Sequence, residues 1–391
     1  MKILRVIWLI AVFSAVFCIQ VDAADGSVDA DGAVTDIRGY LEEFDAAEIQ
    51  EFLNALGEEN VASVSFREMM EHLIQGNLMK VFEEGAAAIR RALFSELRTN
   101  GAFMGQILIL AVIGAVFSGF SGIFGSKHVS DTGFYIVYLL AMAFMASGFL
   151  SSVTIASKVL NEVLGFMKVL LPAYFLAVAM AGSGITSAAV CGFTIGAIGL
   201  IQSIFGQILI PVMRIYMILV LAGNLHKEDM LSKFTELAGV VVLWTCRTMF
   251  GAVIGFHVIQ GLILPQADAL KHTSAMRIVQ MVPGIGSGAG AVSQMVLGSG
   301  ILIKNTAGAA SVVILLFLAA IPMIKLAVLM GLYYLAAAAM QPVCDKRLVA
   351  CMTGAAEGHG LLLKMVGYSL ALFAATIAVL CVSTNAVWYA G

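Results

Sequence analysis

Charged and amide side chains interrupt a long apolar, glycine-rich stretch that covers residues 282–345. Lys304 and Asn305 follow the glycines, and Lys325 comes three residues after Pro322. Ionisable groups are costly inside a bilayer and are functional candidates there. Irregular backbone at membrane depth is tolerated only where it faces protein or a water-filled cavity. These residue types therefore indicate a transport-like membrane segment.

Ten glycine, proline, amide and cationic residues in apolar surroundings share this character. The candidate pore or packing residues are Pro283, Gly284, Gly286, Gly288, Lys304, Asn305, Pro322, Lys325, Arg214 and Arg247. An alternative explanation holds for the cations. Arg214, Lys304 and Lys364 can extend to a membrane surface, and Arg247 can bind carbonyl groups of a neighbouring helix.

Catalytic and cofactor chemistry find little support in the sequence. The glycines at 284–288 superficially resemble a phosphate-binding loop, but no Gly-Lys-Ser/Thr sequence follows them. His257, His272 and His359 have no recognisable serine or metal-ligating neighbour, and the six cysteines show no Cys-x-x-Cys spacing. We therefore predict no enzyme activity, no catalytic residue, no cofactor, no metal and no nucleic-acid partner.

Composition places these residues in a membrane protein. The 391 residues are 60% apolar and 12% charged, whereas soluble domains carry about 25% charged residues. Residues 22–100 hold 17 acidic and 6 basic side chains, and residues 101–391 hold 8 acidic and 14 basic ones. Two regions with different surroundings are therefore predicted to meet near residue 100.

The predicted fold is an all-α, polytopic membrane protein with seven to nine spans. A span needs about 20 mostly apolar residues. Segments of this kind are residues 103–124, 134–153, 163–181, 185–221, 238–264, 305–340 and 361–382. Residues 305–340 are predicted to form two spans divided near Pro322. Residues 283–303 either span or re-enter the membrane, so the side on which the C-terminus lies stays open.

Three regions are expected along the chain. Residues 1–23 have the charged start, apolar centre and small residues of a cleavable signal peptide, with an uncleaved anchor as the alternative. Residues 24–100 form an acidic, amphipathic-helical extracytoplasmic region, which serves either as a docking platform or as a solvated surface. Residues 101–391 form the polytopic domain.

The polytopic domain contains a possible duplication. Pro172 and Pro283 are 111 residues apart, and so are Pro211 and Pro322. Transport folds often contain such repeats. We predict repeated units at residues 151–260 and 262–385, with chance similarity between two apolar regions as the alternative.

The chain resembles the stage III sporulation protein AE family of endospore-forming bacteria. The resemblance covers essentially the whole chain and departs from the usual pattern at Cys344, where family members usually have glycine. It is carried by Val282-Pro283-Gly284-Ile285-Gly286, Leu297-Gly298-Ser299-Gly300-Ile301-Leu302-Ile303-Lys304-Asn305, Gly308, Pro322-Met323-Ile324-Lys325 and Ala336-Ala337-Ala338-Ala339-Met340-Gln341-Pro342-Val343-Cys344-Asp345.

This resemblance implies a membrane subunit of a secretion-like channel complex that links mother cell and forespore and is needed for late forespore development. The implied partners are ring-forming membrane proteins and a secretion-type ATPase of the same complex, besides the lipid bilayer and a possible second copy of the chain. The implied location is the mother-cell membrane around the forespore, with the N-terminal region extracytoplasmic. The alternatives are an autonomous secondary transporter, which the repeat favours, and a non-conducting assembly scaffold.

Overall fold

The computed structural model describes residues 46–56, 65–74, 78–119, 127–180, 184–225, 231–280 and 286–385. These ranges contain helices and no strand, which confirms the predicted all-α fold. The helices are α1 (Ala47–Ala55), α2 (Phe66–Ile74), α3 (Leu78–Gly119), α4 (Lys127–Met180), α5 (Gly184–Ile204), α6 (Ile210–Gly223), α7 (Ser232–Gln280), α8 (Gly286–Met340) and α9 (Lys346–Asn385). The predicted signal peptide, Pro283 and Gly284 lie outside the described residues.

Helix α4 joins two segments that the sequence predicted as separate spans, residues 134–153 and 163–181. It runs without a break for 54 residues, or about 80 Å at 1.5 Å per residue. In the polar interval between the segments, Lys158 and Glu162 are four residues apart and form an ion pair at 3.7 Å, which adds a small stabilisation to the helix. The two segments are thus parts of one continuous helix, and the number of membrane crossings stays a prediction.

Helix α8 is also continuous, over 55 residues that include Pro322. Proline removes one backbone donor and strains the preceding turn. The neighbouring helices that bury Pro322 hold the turn in place, as is common for prolines in membrane helices. The predicted division of residues 305–340 near Pro322 was therefore wrong, and the residues from Gly286 onward show no re-entrant break.

A π-helical turn, Phe205–Leu209, connects α5 to α6 directly before Pro211. Proline cannot donate a backbone hydrogen bond. The helix continues through Pro211 with a single wider turn, and π-helical structure in proteins mostly takes the form of such single turns inside α-helices. The predicted apolar segment at residues 185–221 thus accommodates Pro211 with a local widening of the helix.

The long helices run between two ends of a bundle, with α4 and α9 parallel to each other and α8 antiparallel to α9. At one end the Tyr138 hydroxyl donates to the Leu221 carbonyl at 3.0 Å and lies 3.0 Å from the Cys351 sulfur. Because the α6–α7 and α8–α9 connections lie here, we call it the connection end. At the opposite end the Tyr174 hydroxyl lies 3.3 Å from the Cys381 sulfur.

The acidic N-terminal helices pack far from the connection end. The Phe52 ring of α1 lies against Gly165 and Phe166 of α4, and α2 contacts α8. Gly165 is 27 residues beyond Tyr138, or about 40 Å along the helix. Helices α1 and α2 of the predicted extracytoplasmic region therefore join the hydrophobic core of the bundle at the end opposite the connections.

Close helix contacts at glycines hold α9 in the centre of the bundle. Gly308 of α8 meets Cys381 and Ile377 of α9, while Gly354 of α9 meets Val220 of α6. Gly358, one turn after Gly354, meets Phe149 of α4 and Tyr216 of α6. Small residues at a four-residue interval are the usual means of close approach between membrane helices.

Five helical segments of the described chain are long and apolar enough to cross a membrane. They are Tyr135–Val178, Cys191–Gly223, Ser232–Ile259, Leu302–Met340 and Lys346–Cys381. The last of these is also the most buried inside the protein, in agreement with the central place of α9. The count of seven to nine spans stays a prediction.

Candidate functional site

A cleft of about 980 Å³ opens between α6, α7, the C-terminal half of α8 and α9. Apolar side chains such as Leu243, Met330 and Leu361 form much of its wall. Four charged residues also line it: Lys233, Glu236, Glu357 and Lys364. Pockets with mostly apolar walls and a few convergent polar groups are the usual form of small-molecule sites.

The charges lie at two depths in the cleft. Lys233 and Glu236 belong to the first turns of α7 at the connection end, and they pair with each other at 2.9 Å. Glu357 and Lys364 lie 11 and 18 residues after the first residue of α9, or about 17 and 27 Å along the helix. The cleft therefore runs from a charged rim at the connection end into the apolar part of the bundle.

Helix packing fixes the direction in which the charges of α9 point. Gly354, Glu357, Leu361 and Lys364 recur every three or four residues and line the cleft together, because such positions share one helical face. The Tyr216 hydroxyl donates to the Gly354 carbonyl at 3.2 Å, which ties α9 to α6 beside the cleft. The sequence analysis named Lys364 only in its alternative explanation, as a cation that can extend to a membrane surface, and did not select Glu357.

A second polar cluster lies behind the cleft and is fully buried. His359 Nε2 lies 2.9 Å from the Ser152 hydroxyl, and His359 Nδ1 lies 2.7 Å from the Ala355 carbonyl. Because a carbonyl only accepts, Nδ1 carries a proton, and Nε2 of the neutral ring is an acceptor. The Ser152 hydroxyl lies within donor distance of both Nε2 and the Gly148 carbonyl of its own helix, the latter at 3.2 Å. The ring also stacks on Tyr333 at 4.7 Å and meets the edge of Phe149.

This cluster corrects one sequence expectation, since His359 does have a serine partner. Ser152 and His359 are both fully buried, with a relative exposure of 0%. No substrate carbonyl can reach a hydroxyl in that position. The pair therefore joins α4 to α9 in the way that buried polar groups usually do, by satisfying each other's hydrogen bonds.

The predicted pore residues are distributed over several environments. Lys304 and Asn305 are buried, with exposures of 1% and 3%, and Lys325 is half-buried. Arg214 is exposed on α6, and Arg247 of α7 is exposed with its Nε donating to the Tyr368 hydroxyl at 3.4 Å. None of these five residues lines the cleft.

The remaining predicted residues lie on α8 or outside the described chain. Gly286 and Gly288 belong to the first turn of α8, and Pro322 lies inside it. Gly286 and Lys325 are 39 residues apart on this one helix, or about 58 Å. The predicted set therefore extends along the length of α8 and does not meet in one pocket.

Thiol chemistry is not favoured at Cys344, which lies between α8 and α9. Burial and, to a lesser extent, the neighbouring Asp345 raise the pKa of the Cys344 thiol. A raised pKa keeps the sulfur in its unreactive protonated form at neutral pH. The described residues contain no group of three or more potential metal ligands.

Long apolar helices around an ionisable cleft define this chain as a polytopic helical membrane protein. A sequence model of one family, stage III sporulation protein AE, matches residues 64–384. The chain therefore belongs to the stage III sporulation protein AE family, a family of sporulation proteins.

A curated relative supports this membership. The chain is 23% identical over 274 residues to stage III sporulation protein AE of Bacillus subtilis (strain 168), an alignment that covers 69% of this chain and 68% of the relative. No solved structure matches the chain.

Proposed function

We propose that the protein is a membrane subunit of a secretion-like channel complex between mother cell and forespore, required for late forespore development. The observation that carries this proposal is the family match over residues 64–384. Five apolar helices agree with a subunit that resides in the membrane. The sequence has no ATP-binding motif of its own, which agrees with energy supplied by a secretion-type ATPase of the complex.

The orientation of the bundle gives the cleft a role in this proposal. The N-terminal helices and the cleft lie at opposite ends of the bundle. With the N-terminal region extracytoplasmic and the protein in the mother-cell membrane around the forespore, the cleft opens to the mother-cell cytoplasm. Solutes would then enter from the compartment that supplies the forespore.

Co-purification tests membership of the complex. We expect the tagged full-length chain, produced in sporulating cells, to retain the ring-forming membrane proteins and the ATPase after detergent extraction. Deletion of the gene should stop late forespore development, and the intact chain should restore it. Extraction of the chain alone, from cells that sporulate normally without it, would refute the proposal.

A secondary transporter is the second candidate, because the described chain forms the ionisable cleft within a single copy. Such a transporter would move its solute as a purified protein in liposomes, with no ring proteins or ATPase added. A subunit of a larger channel would do so only within the complex. A third candidate is a scaffold that forms no conduit. In that case the complex would not assemble without this chain, but removing any charged side chain from the chain would leave the passage of solutes through the complex unchanged.

The proposed conduit residues on α8 give a further prediction. If Lys304, Asn305 and Lys325 face the conduit in the assembled complex, Lys325→Ala should reduce the passage of a fluorescent tracer into the forespore. Lys304→Ala should do the same. Lys346→Ala is the matched control, because Lys346 is exposed and does not line the cleft. Unchanged passage in both variants would remove these lysines from the conduit.

A further inference from the structure

The deep wall of the cleft carries an acid and a base on one face of a single helix. Glu357 and Lys364 both line the cleft and are seven residues apart, or about 10 Å along the axis of α9. Helical side chains lean toward the N-terminus, and lysine is the longer of the two. The ammonium of Lys364 therefore extends toward the level of Glu357.

Neither of these two charges has an ionic partner within the described residues, and neither forms a hydrogen bond there. Three other acidic side chains of the same ranges are paired. Glu162 pairs with Lys158, Glu236 with Lys233, and Asp345 with Arg347. Of the four charged residues that line the cleft, Lys233 and Glu236 are therefore paired with each other, whereas Glu357 and Lys364 have no ionic partner within the described residues.

The cleft leaves both charges accessible to a bound group, because Glu357 is exposed and Lys364 is half-buried. Tyr216 and Tyr334 line the same cleft, and Met330 and Leu361 continue its wall. Hydrogen bonds between charged groups are stronger than those between neutral groups. A cavity of about 980 Å³ holds a molecule of peptide size.

We propose that the cleft binds a zwitterionic group, with its ammonium at Glu357 and its anion at Lys364. An extended dipeptide places its two charges about 6 Å apart, which fits two side chains that converge from a 10 Å spacing. A phosphatidylethanolamine headgroup offers the same pair of charges from the lipid side. The inference rests on the proposed function only for its biological meaning, because binding is a property of the single chain.

Binding by the purified full-length protein tests the inference. The protein is placed in nanodiscs of phosphatidylglycerol, which has no ammonium group, and titrated with dialanine, N-acetyl-dialanine and dialanine amide. We expect dialanine to bind and both blocked forms to bind poorly. Glu357→Gln and Lys364→Gln should each weaken dialanine binding about tenfold or more, the usual effect of removing one charged hydrogen-bond partner.

A parallel arm tests the lipid source. Nanodiscs that contain phosphatidylethanolamine are prepared, and native mass spectrometry counts the lipid retained by the protein. Retention of phosphatidylethanolamine that both substitutions abolish would assign the site to a headgroup. Dialanine binding that both substitutions abolish would assign it to a soluble zwitterion.

Three further variants keep the test decisive. Glu51→Gln on α1 and Lys346→Gln on α9 remove exposed charges outside the cleft and should leave binding unchanged. The double variant Glu357→Lys with Lys364→Glu should bind dialanine better than either single variant, because the zwitterion can bind in the reverse orientation. Thermal unfolding shows whether each variant is folded.

Binding of neither probe, or binding that is equal in all variants, would overturn the inference. The ring proteins would still co-purify in that case, and the proposed function would stand. If the chain binds the zwitterion but retains no partner protein, the inference about the cleft would be supported and the proposed membership of a channel complex would be refuted.

Discussion

Gly358→Leu should leave little folded protein in the membrane. Even a Cβ atom at this position would lie 2.6 Å from Phe149 Cε2 and 3.0 Å from Tyr216 Cε1. Phe149 is fully buried, so its ring has no space into which to move. Overpacking a core costs about 1–3 kcal/mol, occasionally more, and leucine adds four carbons. Thermal unfolding and the yield of monodisperse protein in detergent measure the effect.

Gly331→Leu is the matched control. Gly331 also lies inside a long helix, on α8, but it is exposed, and a Cβ added there would have no heavy atom within 4 Å beyond its own helix backbone. This variant should be as stable as the parent, and Gly358→Ala should fall between the parent and Gly358→Leu. Equal stability of the two leucine variants would show that α9 does not approach α4 and α6 as closely as the contacts at Gly358 indicate.

Substitutions that remove the contact between Ser152 and His359 are expected to cause the second-largest loss of folding stability. Ser152→Ala leaves His359 Nε2 buried without its partner, and an unsatisfied buried polar group costs about 1–3 kcal/mol. His359→Leu removes the ring and also the stacking on Tyr333 at 4.7 Å. The double variant should be less destabilised than the sum of the two, with a coupling of about 0.5–3 kcal/mol.

Thr154→Ala is the hydroxyl-removal control for this cycle. Thr154 is exposed on the same helix, and its hydroxyl donates only to the Leu150 carbonyl of its own helix at 3.0 Å. Its removal should change the free energy of unfolding by less than about 0.5 kcal/mol. Strict additivity of Ser152→Ala and His359→Leu would mean that the pair does not connect α4 and α9.

The membrane class and the helical content could be predicted because they depend on composition and on the lengths of apolar runs. The positions at which the helices begin and end were harder to predict from the sequence. Lys158 and Glu162 resemble a loop between two spans in a hydropathy count, and only their four-residue spacing shows that they satisfy each other on a helix. Pro322 resembles a break, yet packing by other helices decides whether a proline ends a membrane helix.

The cleft could not be predicted from residues taken one at a time. Sequence reasoning chose cations beside glycines and prolines, and most of those cations proved to be buried or exposed elsewhere. Ser152 and His359 meet across 207 residues of sequence, which no local pattern reveals. A signal was present on α9, where Gly354, Glu357 and Lys364 recur every three or four residues or at multiples of that spacing and therefore share one face.

The length of α4 gives the bundle a mechanical property. One unbroken helix connects the neighbourhood of the cleft, at Tyr138, with the docking place of α1, at Gly165. These two places are about 40 Å apart on the helix, so a tilt of about 5° of a rigid rod about one of them displaces the other by about 3.5 Å. A change in the packing at one end of α4 would therefore shift the N-terminal helices sideways at the other end.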